Sequence, residues 1–123
     1  MKKIGMKKIA ALLLLHICIV TLIACSQNKT ITDIATFDSP DGNYHLVFQQ
    51  VGEPVLFGGA DVRVVLKDQN GTTLNSIDAT VSNDGANAHE KNIKSVEWTS
   101  DSVIVILCAE EMPDKRVEIQ YSK

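Results

Sequence analysis

Ser39-Pro40-Asp41-Gly42-Asn43-Tyr44-His45-Leu46-Val47-Phe48-Gln49-Gln50 is the stretch whose reading decides the fold. Its first four residues are turn chemistry: Pro40 presets the backbone of a type I turn and Gly42 closes it. From Asn43 to Gln50 the side chains alternate, Tyr44, Leu46 and Phe48 against His45, Val47 and Gln49. A period of two places those sets on opposite faces of a strand. A turn feeding a half-buried strand is the unit of an antiparallel sheet, and the rest of the chain repeats it.

Downstream, Asp61 to Lys67 sets Val62, Val64 and Leu66 on one face and Arg63, Val65 and Lys67 on the other. Asp68-Gln69-Asn70-Gly71 is a hairpin turn with its Asn-Gly pair, and Thr72 to Val81 follows with Asn75, Ile77, Ala79 and Val81 in phase. After a polar loop, Ser82 to Lys91, come Asn92 to Trp98, the turn Thr99-Ser100-Asp101, and Ser102 to Cys108. The last of these is apolar on both faces, as a central strand is. Glu110 to Asp114, with Pro113, reads as the next turn, and Val117, Ile119 and Tyr121 alternate along a final strand. Upstream, Ile31 to Thr36 adds an edge strand. No window beyond the N-terminal segment shows a capped 3.6-residue apolar period. The expectation is an all-β fold, a small antiparallel sandwich or curled meander of six to seven strands. Tyr44, Leu46, Phe48, Val64, Trp98, Val105 and Ile119 are expected in its core.

The N-terminus has a different grammar. Lys2, Lys3, Lys7 and Lys8 precede a run of 16 residues, Ile9 to Ala24, broken only by His16 and Thr21. The run is shorter than the roughly 20 residues that span a bilayer comfortably, and its basic-then-apolar order is that of a secretory signal helix. Met1-Lys2-Lys3-Ile4 recurs as Met6-Lys7-Lys8-Ile9, so either methionine can open it. An ordinary cleavage site takes small side chains at −3 and −1; with Ala24 at −1, position −3 is the large Leu22. Leu22-Ile23-Ala24-Cys25 resembles instead the lipobox of bacterial lipoproteins. The resemblance implies diacylglycerol on the Cys25 thiol, cleavage between Ala24 and Cys25, and often acylation of the new amino group. Two or three acyl chains, at about 0.8 kcal/mol per buried methylene, hold a protein where one does not. An uncleaved transmembrane anchor is the competing reading.

The chain then divides into a signal over residues 1–24, a lipidated Cys and tether over 25–36, and one β domain over 37–123. The implied location is the extracytoplasmic face of the cell membrane. Ser26 is not a retention signal of the Asp type, so an outer membrane stays open as destination where one exists. Ser39-Pro40-Asp41-Gly42-Asn43-Tyr44 at a strand opening, with Val96-Glu97-Trp98 and Asp101-Ser102-Val103-Ile104-Val105 near the end, is similar to small lipoproteins of Gram-positive bacteria. That resemblance brings no activity with it.

Composition narrows the function classes. Of 123 residues, 45% are apolar, which excludes a disordered or low-complexity chain. Four of the 12 basic residues precede residue 10, so the remaining eight face all 15 acidic ones, a balance of −7. Such a body has no basic stripe for nucleic acid. Once Cys18 leaves with the signal and Cys25 carries lipid, Cys108 is unpaired, which excludes a disulfide scaffold. Within its apolar strand it reads as a buried, inert thiol.

Searches for chemistry end in turns and loops. His89-Glu90 would need a second His at position 93, which is Ile93. Asp68-x-Asn70-Gly71 lacks the Gly and bidentate Glu of a calcium loop at positions 73 and 79, which are Thr73 and Ala79. Gly58-Gly59 has no following Lys and helix to cradle phosphate. No G-x-S-x-G elbow exists. No metal, cofactor or catalytic residue is expected. Two loops remain. Gly52 to Ala60 carries Val55, Leu56 and Phe57, which either fold back as a lid over the core, the expected arrangement, or form a binding patch. Ser82 to Lys91 reads as a solvated connection. Candidate partner contacts are Glu53, Phe57, Asp84, His89 and Glu90. The function expected is that of a membrane-anchored extracytoplasmic lipoprotein acting by binding or structural presence on an unknown protein or small molecule. A lipoprotein inhibitor or immunity factor is the first alternative and a small hydrolase the second.

Overall fold

The computed structural model describes residues 5–25 and 29–122, apart from the side chains of residues 16–25. Its elements are a helix α1 (Met6–Cys25) and seven strands: β1 (Ile31–Asp38), β2 (Tyr44–Val51), β3 (Ala60–Asp68), β4 (Thr73–Val81), β5 (Ile93–Trp98), β6 (Ser102–Ala109) and β7 (Met112–Gln120). All strand pairs are antiparallel, in two sheets ordered β1-β2-β3-β4 and β5-β6-β7. Among the described residues no helix is long and apolar enough to cross a membrane.

Alternation places the core. Register sets Leu46 opposite Leu66, Phe48 opposite Val64 and Gln50 opposite Val62, so one face of β2 and β3 is continuously apolar except at Gln50. Val103, Val105 and Leu107 of β6, with Val117 and Ile119 of β7, supply the facing layer. Leu46, Phe48, Val64, Leu66, Val103, Val105, Leu107 and Ile119 are all fully buried between the sheets. The other face of the larger sheet is mixed: the buried pair Val47 and Val65 lies among polar cross-strand pairs at Arg63–Asp78 (2.7 Å), His45–Asp38 (2.6 Å) and Gln49–Asp33 (2.8 Å). Polar pairs this exposed contribute little to stability; they keep their part of the face wet and the register unambiguous.

Ile31 to Thr36 lies in the edge strand expected there, β1, which pairs with β2 from Ile31↔Val51 onward, so the first sheet begins within the stretch assigned to the tether. Three other sequence expectations need correction. The turn expected over Glu110 to Asp114 is confined to Glu110-Glu111, and Pro113 lies inside β7. As an edge strand, β7 tolerates a residue with no N–H to donate. Cys108 is half-buried, its Sγ donating to the Lys91 carbonyl at 3.2 Å. The period of two gives the inward face of β6 to Val103, Val105 and Leu107 and turns Cys108 outward.

Tyr44 and Trp98, expected in the core, are half-buried at its end, because one opens β2 and the other closes β5. They form a stack with Tyr121: the two tyrosine rings lie 4.3 Å apart at 14°, and Trp98 sits 6.5 Å from each. Tyr121 Oη donates to the Thr99 carbonyl at 2.7 Å. The stack bridges the two sheets at one end of the sandwich, Tyr44 from the first and Trp98 and Tyr121 from the second.

Two outcomes are expected. Phe48→Ala should cost about 3–5 kcal/mol in urea unfolding, and Trp98→Ala less, since part of the indole already meets water. Burial, and then the nearby Tyr44, Asp41 and Asp101, raise the Tyr121 phenol above its ordinary value. The folded state therefore keeps that proton longer than the unfolded chain. Stability from this source is complete below about pH 10 and lost as pH rises through the folded value. Urea midpoints on either side of that pH should show the loss, and Tyr121→Phe should diminish it.

Candidate interaction surface

The segment between β2 and β3 leaves the sandwich at Gly52 and returns at Ala60, with a tight turn at its tip. Gly58 N donates to the Val55 carbonyl at 2.9 Å, and Val55 N reaches the Gly59 carbonyl at 3.3 Å. Phe57 occupies the third position of that turn with φ +61, where turns of this kind take Gly or Asn. A left-handed backbone costs an L-residue about 1–2 kcal/mol. Nothing in the core repays it, because Phe57 is 95% exposed, Leu56 83% and Val55 65%. The expected lid is therefore a projecting apolar tip. The returning arm of the loop packs tightly on β4: a Cβ on Gly59 would stand 2.3 Å from Thr80 Cγ2.

The second loop braces the first. Asn83 to Ala86 is a turn closed by Ala86 N to the Asn83 carbonyl at 3.1 Å, with φ +54 at Asp84 and +78 at Gly85. Positive φ at both central residues makes it type I′. A Cβ on Gly85 would lie 3.5 Å from Phe57 N, so this turn rests against the backbone of the tip.

The segment read as a solvated connection is instead fastened by buried amides. Asn83 and Asn92 exchange hydrogen bonds at 2.9 Å in each direction. Asn92 Nδ2 also donates to the Cys108 carbonyl at 2.7 Å, and its Oδ1 accepts from His89 N at 2.9 Å. Gln50 Nε2 donates to the Gly52 carbonyl and to Asn87 Oδ1, both at 3.0 Å, while its Oε1 accepts from Ala88 N at 2.7 Å. Asn83, Asn92 and Gln50 are buried, and among the described residues no buried side-chain polar atom lacks a partner. Asparagines in a polar segment look solvated in sequence; the only advance sign was Gln50, a polar residue on the core phase of β2.

Sequence-selected residues thus divide. Glu53, Phe57 and Asp84 stand exposed on one surface formed by the two loops. His89 and Glu90 are exposed at the far end of the second loop, at a short 3-10 turn (Glu90–Asn92). His89 and Cys108 line a shallow depression of about 260 Å³ with Lys91 and Glu110. No group of three or more His, Cys, Asp or Glu is placed to hold a metal among the described residues. Ala24 and Cys25 end α1, and their side chains lie outside the described residues.

No family model, curated protein or solved structure matches this chain.

At the opposite end a depression of about 350 Å³ is lined by Asp41, Asn43, Ser100 and the aromatic stack. The Asp41 carboxylate there is already engaged, by Ser39 Oγ at 2.6 Å, Asn43 N at 3.0 Å and Asn43 Nδ2 at 3.1 Å. These bonds, the Ser39 one first, lower its pKa and spend its capacity on the turn. The apolar tip has no such internal use. Removing the hub of the brace should be costly: Asn92→Ala, which orphans Asn83 and the Cys108 carbonyl, should lower stability by more than about 2 kcal/mol in urea. His89→Ala, on the exposed end of the same loop, should change it by less than about 0.5 kcal/mol.

Proposed function

We propose that this chain is a bacterial lipoprotein, anchored by lipid on Cys25 at the extracytoplasmic face of the membrane, whose β domain acts by binding or structural presence. The observation that carries the reading is Leu22-Ile23-Ala24-Cys25 at the end of a lysine-led, 16-residue apolar run, six residues before the first strand. A folded domain that begins so soon after the thiol sits close to whatever surface holds the lipid. The projecting Val55-Leu56-Phe57 tip supplies the contact such a domain needs.

The same tip also favours a second reading. A lipoprotein inhibitor or immunity factor blocks an enzyme with a rigid projecting loop, and this one is braced at neck and flank. The two readings divide on what the tip meets. An inhibitor should form a stoichiometric complex with a soluble enzyme.

Lipidation through a thioether requires the thiol, so Cys25→Ser should leave an unprocessed precursor with its signal attached. Intact mass and partition into detergent measure this. The wild type should gain the mass of a diacylglyceryl group and resist salt washing, because burial of acyl chains is not screened as surface charge is. Processing of Cys25→Ser, with release of lipid-free wild type, would end the lipoprotein reading.

A further inference from the structure

We infer that the Val55-Leu56-Phe57 tip docks on the bilayer that holds the lipid anchor, so that the domain stands on its membrane at two points. The inference rests on the lipoprotein reading and identifies the partner of its contact surface.

Chain length carries the argument. Gly52 N donates to the Thr30 carbonyl at 2.7 Å, and the Lys29 side chain lies 3.4 Å from where a Gly52 Cβ would stand. The tether therefore enters the domain at the residue from which the apolar loop departs. Cys25 lies five residues from Thr30, and Leu56 four residues from Gly52. At about 3.3–3.6 Å per residue, neither can be farther than about 18 Å from that shared hydrogen bond. A lipid on Cys25 thus holds the acyl-chain boundary no farther than about 18 Å from the base of the loop that carries the tip.

The tip fits that surface. Leu56 and Phe57 are more than four-fifths exposed, consecutive, and held outward by a turn strained at Phe57. Exposed apolar patches on loops mark protein or membrane contacts. Here the tether favours the membrane, because an anchored domain meets its bilayer at a local concentration that no soluble partner matches. A patch too small to bind vesicles from solution can dock once the lipid holds it there. Glu53 and Asp84 flank the tip and disfavour a strongly anionic surface, so headgroups of low net charge suit it.

The test uses the lipidated full-length product, reconstituted in vesicles of phosphatidylethanolamine with a minority of phosphatidylglycerol, the acyl chains carrying bromine. Bromine quenches an indole that reaches the hydrocarbon. In a Trp98→Phe background, Leu56→Trp places the only indole on the tip; Phe57→Trp is the second variant should the first fold poorly. Wild type, whose Trp98 lies at the opposite end of the sandwich, is the internal reference. The tip indole should be quenched several-fold more strongly than Trp98, and Glu in place of the other tip aromatic or aliphatic residue should abolish the difference. Equal quenching at both ends, with diacylglyceryl found on Cys25 by mass, would overturn the bilayer contact while leaving the anchor intact and the tip to a protein. Absence of the lipid mass would overturn the anchor, and the docking with it.

Discussion

The reciprocal amide pair between Asn83 and Asn92 is the constraint on which this sandwich depends. The sheets are covalently joined only through the segment between β4 and β5, and that segment must turn from one layer to the other without regular strand pairing. Its backbone polar groups then need partners inside the protein. Asn92 supplies them toward the second sheet, through the Cys108 carbonyl and His89 N. Gln50 does so from the first, through Ala88 N, Asn87 and Gly52. A network of this kind is stabilising only when complete, since each orphaned buried group costs about 1–3 kcal/mol. Completeness here also fixes the relative placement of the two loops, because Gln50 touches both.

That rigidity explains how an exposed phenylalanine is kept in a left-handed turn. Alone, a turn with Phe57 at φ +61 would relax toward an ordinary conformation. It is held because Gly59 is pressed against Thr80 on one side and Gly85 against the Phe57 backbone on the other. The strain sits at Phe57, the glycines beside it allow the close approaches that hold it, and the result is an aromatic ring directed into solvent.

The strands were legible because burial on one face writes a period of two into the sequence. Val62, Val64 and Leu66 sit where alternation puts them, and the apolar β6 is central in its sheet. Strand ends were less so: Tyr44 and Trp98 have the right phase but stand at an open edge, which periodicity does not register. Cys108 went wrong for the opposite reason, since a stretch apolar on both faces conceals which residues turn outward. The loop composition announced the apolar tip but not its outward direction, which goes with a close approach of Gly59 to Thr80 of β4, 21 residues away in sequence. The amide brace was hidden altogether, because Asn83 and Asn92 are chemically the same whether they bind water or each other.

Strand parity ties these features into one end of the molecule. In an antiparallel meander each strand carries the chain to the opposite pole. Four strands in the first sheet therefore return it to the pole where β1 began, so the crossover must lie beside the N-terminal entry. The same parity puts the β2–β3 loop at that pole, since two strands also return the chain to its start. Three strands in the second sheet then leave Tyr121 at the far pole, with the aromatic stack. Adding or deleting a single strand in the first sheet would move the crossover away from the tip and dissolve the brace. Tether entry, apolar tip and braced crossover are thus neighbours by topology, even though they lie in three separate stretches of the sequence.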